Sequence, residues 1–218
     1  MAESGNVAGV LLAGGLSRRM GGGDKALLPL GGQTLIAQAA KRLAPQVSSL
    51  VINANGDPSR FKALALPVVP DDLPDYPGPL AGVLAALRWH ARETPTARAV
   101  VSVSADAPFV PLDLVARLAN ALPTNTPTPV SVAQSHGRRH HVIALWSLEC
   151  TGAIEAALTR GERRVEAIVD RLGAVAVPFP DFDAAGRGID PFFNINTPDD
   201  LAFAETIMTT SAEQENAP

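Results

Sequence analysis

Between Ala8 and Ala121, short apolar runs alternate with helically spaced segments, and that alternation admits few folds. Ala8–Ala13 (AGVLLA) reads as a buried strand that stops at glycines. Thr34–Leu43 places Leu35, Ile36, Ala39, Ala40 and Leu43 at helical spacing, with Thr34 as N-cap. Ser49–Ala54 reads as a second strand and Leu66–Val69 as a brief third. Leu80–Ala91 reads as a helix after the turn Pro77-Gly78-Pro79, and Ala99–Ser104 as another strand. Pro111–Ala121 reads as a helix with Pro111 at its tolerated first position. Such alternation predicts an α/β fold of three layers, built on a doubly wound, mostly parallel sheet. Folds of this kind bind ligands beyond the carboxyl ends of their strands. Gly14, Gly15, Asn53, Asp71 and Asp106 all fall at or just after such ends.

The rhythm then changes. Pro129–Ala133 and Val142–Trp146 are β-rich runs separated by SHGRRHH, which predicts a small antiparallel excursion. Helices follow near Leu148–Leu158 and Arg163–Leu172, then a strand near Ala174–Val177. The last helix starts after NTPDD: Thr197 is its N-cap, Pro198 sits first, and Asp199 and Asp200 suit the positive end of the dipole. Residues 1–209 read as one domain and 210–218, small and polar, as a flexible tail.

Bulk properties exclude several function classes. With 46% hydrophobic and 18% charged residues the chain can bury a core. A net charge of -4 argues against a nucleic-acid partner, so any anion site must be local. One cysteine, Cys150, rules out an internal disulfide, fits a reducing cytoplasm, and reads by default as buried and structural. The N-terminus lacks a basic leader region and its apolar stretch is too short to span a bilayer, so no membrane association is expected.

The segment Leu11–Gly32, LLAGGLSRRMGGGDKALLPLGG, joins flexible backbone to positive charge directly after the first strand. It is not a P-loop: Lys25 follows Asp24 and precedes Ala26, so no hydroxyl stands where magnesium needs one. It is not a dinucleotide fingerprint, because the chain reads GGLSRR from Gly14. What remains is a long loop whose N–H groups can wrap phosphates. Arg18 and Arg19 offer guanidinium forks and Lys25 a point charge. The alternative is a surface loop with ordinary solvated basic residues.

The pattern L-A-G-G-x-S-R-R-M-G-G-x-D-K resembles the signature loop of the MobA-like nucleotidyltransferases, a Rossmann-like fold. The resemblance continues in VINAN (Val51–Asn55), PDDLPDYPGPLAG with Asp71 and Gly82, SADAPFVP with Asp106, GERRV (Gly161–Val165) and FFNINTPDDL (Phe192–Leu201). Together these motifs resemble the molybdenum cofactor guanylyltransferases within that family. The resemblance implies transfer of GMP from GTP to molybdenum-loaded molybdopterin, with release of pyrophosphate. A phosphate nucleophile is already ionised, so such a site needs positioning and charge neutralisation rather than a general base.

Roles carried over from the resemblance make Arg19, Lys25 and Asp106 the catalytic set. Leu12, Ala13, Gly14 and Gly15, through their backbone, join Lys25, Asn53, Asp71, Gly82 and Asp106 as GTP-binding positions. Asp71 is the candidate reader of guanine, with the adjacent Asp72 an open alternative. Asp106 and Asn196 would hold Mg2+, which prefers one or two carboxylates plus phosphate oxygens. Asn194 and Asn196 flank Ile195 and point the same way in an extended segment. Arg163, Arg164 and Asn194 are candidates for the acceptor. Arginines at a helix start oppose the dipole, which hints at an anion, although two solvated arginines fit as well. His136, Arg138, Arg139, His140 and His141 form a basic cluster, and His140-His141-Val142 departs from the family's histidine–proline pair, so its role stays open. The resemblance implies a nucleotide-binding half over residues 1–125 and an acceptor half over 126–209. It also implies transient contact with cofactor-insertion proteins or molybdoenzymes. The competing readings are a nucleotidyltransferase using CTP or a sugar phosphate, and a non-catalytic molybdopterin carrier.

Overall fold

A computed structural model of the chain describes residues 6–14, 24–72, 78–184 and 186–215. Its centre is a seven-stranded sheet in the order β5-β4-β1-β6-β8-β7-β9. The strands are β1 (Val7–Leu12), β4 (Leu50–Asn53), β5 (Val68–Val69), β6 (Ala99–Ser104), β7 (Val130–Ser135), β8 (Arg138–Ser147) and β9 (Val175–Pro178). β5, β4, β1 and β6 run parallel, β8 is antiparallel to both β6 and β7, and β9 is parallel to β7. The expected doubly wound, mostly parallel sheet is therefore present, with β8 as its one reversed strand. Short antiparallel ribbons, β2 (Pro29–Leu30) with β3 (Gln33–Thr34) and β10 (Phe182–Ala184) with β11 (Arg187–Ile189), lie outside the expected elements.

Alternation along β1 sorts the two faces. Val7 and Leu11 pack with α1 (Leu35–Leu43) and α3 (Leu114–Asn120), while Ala8, Val10 and Leu12 pack with α2 (Pro79–Glu93), α4 (Thr151–Thr159) and α5 (Val165–Arg171). Helices thus cover both faces, as a parallel sheet requires. A third cluster joins Leu30, Leu35, Phe109, Ile189 and Ile195 to Ala204 and Ile207 of α6 (Pro198–Glu215). It pins the segment before α6 against the edge of the sheet where β1 and β6 end.

Several boundaries differ from expectation for local reasons. Thr34 caps α1 as predicted, its Oγ1 accepting from the Ala37 N–H at 3.3 Å. Pro111 does not open α3, which starts at Leu114; the Pro111 carbonyl instead accepts from Gln46 Nε2 at 2.9 Å. SHGRRHH is not a connection. His136 and Gly137, with φ of 48° and 73°, form a two-residue turn and Arg138 already pairs with Ser135. Positive φ at both central residues is the backbone that matches the twist of a hairpin. α6 carries helical backbone to Glu215, into the stretch read as a tail.

Buried polar groups are satisfied within this frame. Trp146 Nε1 donates to Ser102 Oγ at 2.9 Å, and Ser102 Oγ donates to the Val142 carbonyl at 2.7 Å. Cys150 is buried, and desolvation pushes its thiol up to about 12, so it is inert. No described helix is long and apolar enough to cross a membrane.

His90, in α2, is fully buried between the Gly9 carbonyl (3.2 Å from Nε2) and Thr94 Oγ1 (3.1 Å from Nδ1). Burial pushes its pKa down, against the raising effect of the Gly9 carbonyl. Below about pH 6.5 the unfolded chain then binds protons that the folded chain refuses, so stability is lost as the pH falls. His140, shifted the same way chiefly by burial, adds to that slope. Denaturant unfolding at about pH 7.5 and about pH 5.5 should show this loss, with a smaller loss in His90→Gln; an unchanged slope in the variant would contradict the assignment to His90.

Candidate functional site

The parallel strands β4, β1 and β6 end on one edge, and the polar residues collected there come from five segments. Asp106 follows β6 in a turn. Its Oδ1 accepts from Ser104 Oγ and its Oδ2 pairs with Lys25 Nζ. Lys25 Nζ also donates to Asn196 Oδ1 at 2.7 Å. Lys25 opens a 3-10 turn, Lys25–Leu27, capped by Asp24, whose Oδ1 accepts from the Ala26 N–H at 3.1 Å. The Lys25 and Asp106 side chains are only 16% and 18% exposed, so this pair is screened less than a surface pair.

Asn196 reaches the pair because its neighbours are fixed. The Ile195 side chain is fully buried in the third cluster, and its N–H donates to the Asp106 carbonyl at 3.1 Å. Thr197 and Asp200 then close a reciprocal cap: the Asp200 N–H donates to Thr197 Oγ1 at 3.1 Å, and Asp200 Oδ2 accepts from the Asn196 and Thr197 N–H groups, both at 2.8 Å. Desolvation raises the Asp200 pKa, but these hydrogen bonds and the nearby Lys25 charge outweigh it, so the net shift is down. The sequence marked Asp200 only as a charge at the helix start; it is also the residue that orients Asn196. The Asn194 carbonyl accepts from Asn196 Nδ2 at 3.4 Å, and its side-chain Oδ1 is buried with no donor among the described residues.

A second polar group lies at the end of β4. Asn53 Nδ2 donates to the Val69 carbonyl at 3.1 Å and to Asp71 Oδ1 at 2.9 Å. Asn55 Nδ2 donates to Asp71 Oδ2 at 2.8 Å, and the Asp71 N–H donates to Asn55 Oδ1 at 2.9 Å. Asp72 points elsewhere: Arg88 Nη1 pairs with its Oδ2 at 3.1 Å while Arg88 Nη2 pairs with Glu155 at 2.7 Å. The geometry thus separates the two adjacent aspartates. Asp71 belongs to the edge of the sheet and Asp72 to a surface ion pair.

Gly82 has a packing reason to be glycine. A Cβ there would lie 2.1 Å from Asn53 Oδ1 and 2.8 Å from Leu12 Cδ2. The missing side chain lets α2 lie against Asn53 and Leu12. The backbone positions are also partly committed. The Ala13 N–H donates to the Asn53 carbonyl at 2.9 Å and the Leu12 carbonyl accepts from the Ala105 N–H at 3.1 Å, closing the sheet. Gly14 follows, and Gly15, Arg18 and Arg19 lie outside the described residues.

Several members of the basic cluster of the hairpin have partners within the fold. His136 Nε2 pairs with Asp181 at 2.7 Å, Arg139 Nη2 with Asp170 at 2.7 Å, and His140 contacts Ser135 Oγ at 2.6 Å and the Phe192 ring at 4.8 Å. Arg138, Arg139 and His141 line a cleft of about 380 Å3 with Gly137 and Glu166. Because Ser102 pairs with Ala144, β8 enters from beyond the end of β6, on the Asp106 side. Arg163 and Arg164 are exposed and precede α5, with Arg164 at its N-cap. None of the described contacts brings either arginine to Asp106.

The profile of the MobA-like NTP transferase domain matches residues 9–175. The chain belongs to this MobA-like family. A molybdenum cofactor guanylyltransferase of Mesorhizobium japonicum is 48% identical over 204 residues, covering 93% of this chain and 96% of the relative. Another from a Bradyrhizobium species is 48% identical over 202 residues, covering 92% of each. The crystal structure of molybdopterin-guanine dinucleotide biosynthesis protein A from Archaeoglobus fulgidus superposes with a TM-score of 0.68 at 25% identity, covering 93% of this chain and 98% of that one. The matched span, residues 9–175, takes in Lys25, Asn53, Asp71 and Asp106 together.

Gly82→Ala should strain the Asn53 clamp, because Asn53 is buried and held by two hydrogen bonds and cannot simply swing away. We expect a loss of about 1–3 kcal/mol, read as a lower thermal midpoint. An unchanged midpoint would refute the packing role.

Proposed function

We propose that this chain transfers GMP from GTP to molybdopterin carrying molybdenum, forming molybdopterin guanine dinucleotide and pyrophosphate. The observation that carries the reading is the convergence of Lys25, Asp106 and Asn196 at the carboxyl edge of β1 and β6. The curated relatives bearing the guanylyltransferase name support it. In the reaction, an oxygen of the acceptor phosphate bonds to the α-phosphorus of GTP, and the bond from that phosphorus to the bridging oxygen breaks. Both partners are anions, and the nucleophile is already deprotonated.

The residues match that demand. The Lys25 ammonium carries positive charge to the edge and is already held within reach of two oxygen acceptors. Once it exchanges those acceptors for phosphate oxygens, it offsets triphosphate charge without any proton transfer. Ser104 and the Ile195 N–H hold the side chain and backbone of Asp106 in place. We assign the site a divalent cation, and specifically Mg2+. Asp106 and Asn196 present one carboxylate and one amide oxygen that already converge on a cation, the Lys25 ammonium, and these are hard donors of the kind magnesium takes. When bound, magnesium supplies positive charge against the triphosphate and the leaving pyrophosphate.

Asp71 reads the base in this proposal. Guanine offers a ring N–H and an exocyclic amine side by side, and a carboxylate accepts both. Arg18 and Arg19 extend the phosphate contacts. Residues 1–125 form the nucleotide half, and residues 126–209, with the hairpin cleft, Arg163, Arg164 and Asn194, form the acceptor half. The cytoplasm, where a lone buried thiol stays reduced, is its compartment. The product passes from there by transient contact to insertion proteins or molybdoenzymes.

Pyrophosphate release tests this directly. Purified protein with molybdenum-loaded molybdopterin and magnesium should release it with GTP, and not with CTP or ATP. Asp106→Ala should lower the rate by about 100-fold or more. Release with CTP alone would move the chain to cytidylyl transfer. Pterin binding without release by any nucleotide would make it a carrier.

A further inference from the structure

We propose that Asn55 is a positioning residue for base discrimination, acting by holding the Asp71 carboxylate in its base-reading orientation. The proposal rests on the assignment of Asp71 to guanine made above. Asn55 makes a two-point contact that no other side chain described here makes with Asp71. Its amide N–H donates to Oδ2 at 2.8 Å, and its amide oxygen takes the Asp71 N–H at 2.9 Å. Asn53 holds the other carboxylate oxygen at 2.9 Å. With one amide on each oxygen, rotation of the carboxylate about its last bond is blocked. With Asn53 alone, it is not.

The chemistry of the clamp matters as much as its geometry. Asp72, the next residue, is neutralised by the guanidinium of Arg88. Asp71 takes part in no ion pair among the described residues, and both its side-chain partners are neutral amides. A carboxylate has about four lone-pair positions, and the two amides use one on each oxygen. Asp71 is therefore left as a charged, acceptor-only group with capacity for two more donors. Guanine supplies that pair. Hypoxanthine lacks the exocyclic amine, and adenine presents an acceptor where guanine has its ring N–H.

Asn55 is itself anchored. Arg60 Nη2 donates to the Asn55 carbonyl at 2.6 Å, while Arg60 Nε pairs with Asp24 Oδ2 at 3.2 Å. Asp24 caps the turn that carries Lys25. One arginine thus ties the clamp on the base-reading carboxylate to the segment that carries the phosphate lysine. Asn53, by contrast, is buried beneath α2 and cannot change without disturbing the packing at Gly82. Asn55 is the part of the clamp that can be varied with the core left in place.

The test measures kcat and KM for GTP and ITP in pyrophosphate release with molybdenum-loaded molybdopterin. The proteins are wild type, Asn55→Ala, Asn55→Asp, Asp71→Ala and the Asn55→Ala/Asp71→Ala double variant. Wild type should prefer GTP. Asn55→Ala should raise KM for GTP by about tenfold, the scale of one lost hydrogen bond to a charged group. KM for ITP and the kcat values should move much less. Asn55→Asp keeps the size of the side chain and its acceptor but faces Asp71 Oδ2 with like charge, so its loss of GTP preference should be larger. The double variant should be no worse than Asp71→Ala. Equal shifts for GTP and ITP in both Asn55 variants, or losses that multiply in the double variant, would overturn the proposal. Should Asp71→Ala alone keep the wild-type GTP:ITP ratio, the assignment of Asp71 to guanine falls, and the proposal with it. That outcome is separate from a failure of Asn55 because it is read in the Asp71 variant by itself.

Discussion

The ion pair between Lys25 and Asp106 joins segments 81 residues apart, and the hydrogen bond from Lys25 to Asn196 spans 171 residues. This three-way contact ties the end of β6, the turn after the glycine-rich loop and the segment before α6 into one edge. Its charges are mostly withdrawn from water. Removing one partner of a fully buried pair costs roughly 3–5 kcal/mol, and the residual exposure of 16% and 18% lowers that figure here. An arrangement that gathers a cation, a carboxylate and an amide oxygen in partial burial is costly as pure scaffold. It is economical as a resting state in which each group holds the place of a ligand for the other.

The apolar core explains why the contact can form. Ile195 buries itself with Leu30, Leu35, Phe109 and Ile207, and in doing so sets Asn194 and Asn196 on either side of a fixed point. Alternation in β1 commits its side chains to the two helical layers, so the polar chemistry is displaced to strand ends. The same logic places Asn53 at the end of β4 under Gly82. Base end and phosphate end are thus positioned by different parts of one sheet and linked through Arg60.

Much of this was legible in the sequence. Alternating apolar runs located β1, β4, β6 and α1, since periodicity reports burial directly. Strand-end placement and the resemblance together singled out Lys25, Asp106, Asn196, Asn53 and Asp71. What escaped were features set by three-dimensional contact. The packing of Gly82 against Asn53 and Leu12 was not legible, because a helix-start glycine says nothing of its neighbours until the adjacent strand is placed. Pro111 fitted a helix start, but Gln46 recruits its carbonyl from another element. The antiparallel excursion around SHGRRHH was legible, but the position of its turn at His136-Gly137 was not, because the run carries no Asn-Gly or Asp-Gly signal. Asn55 entered only as the last residue of VINAN and Arg60 carried no signal, because their roles lie in contacts with Asp71 and Asp24. Arg163 and Arg164 are placed, but no described contact ties them to the edge.

A crystal structure with GTP and Mn2+, the latter located by its anomalous signal, tests the account most directly. The account predicts manganese bound by the Asp106 carboxylate and Asn196, the Lys25 ammonium transferred from Asp106 to a phosphate oxygen, and guanine against Asp71. Nucleotide bound elsewhere, with the Lys25–Asp106 pair intact and no metal at Asp106, would contradict it.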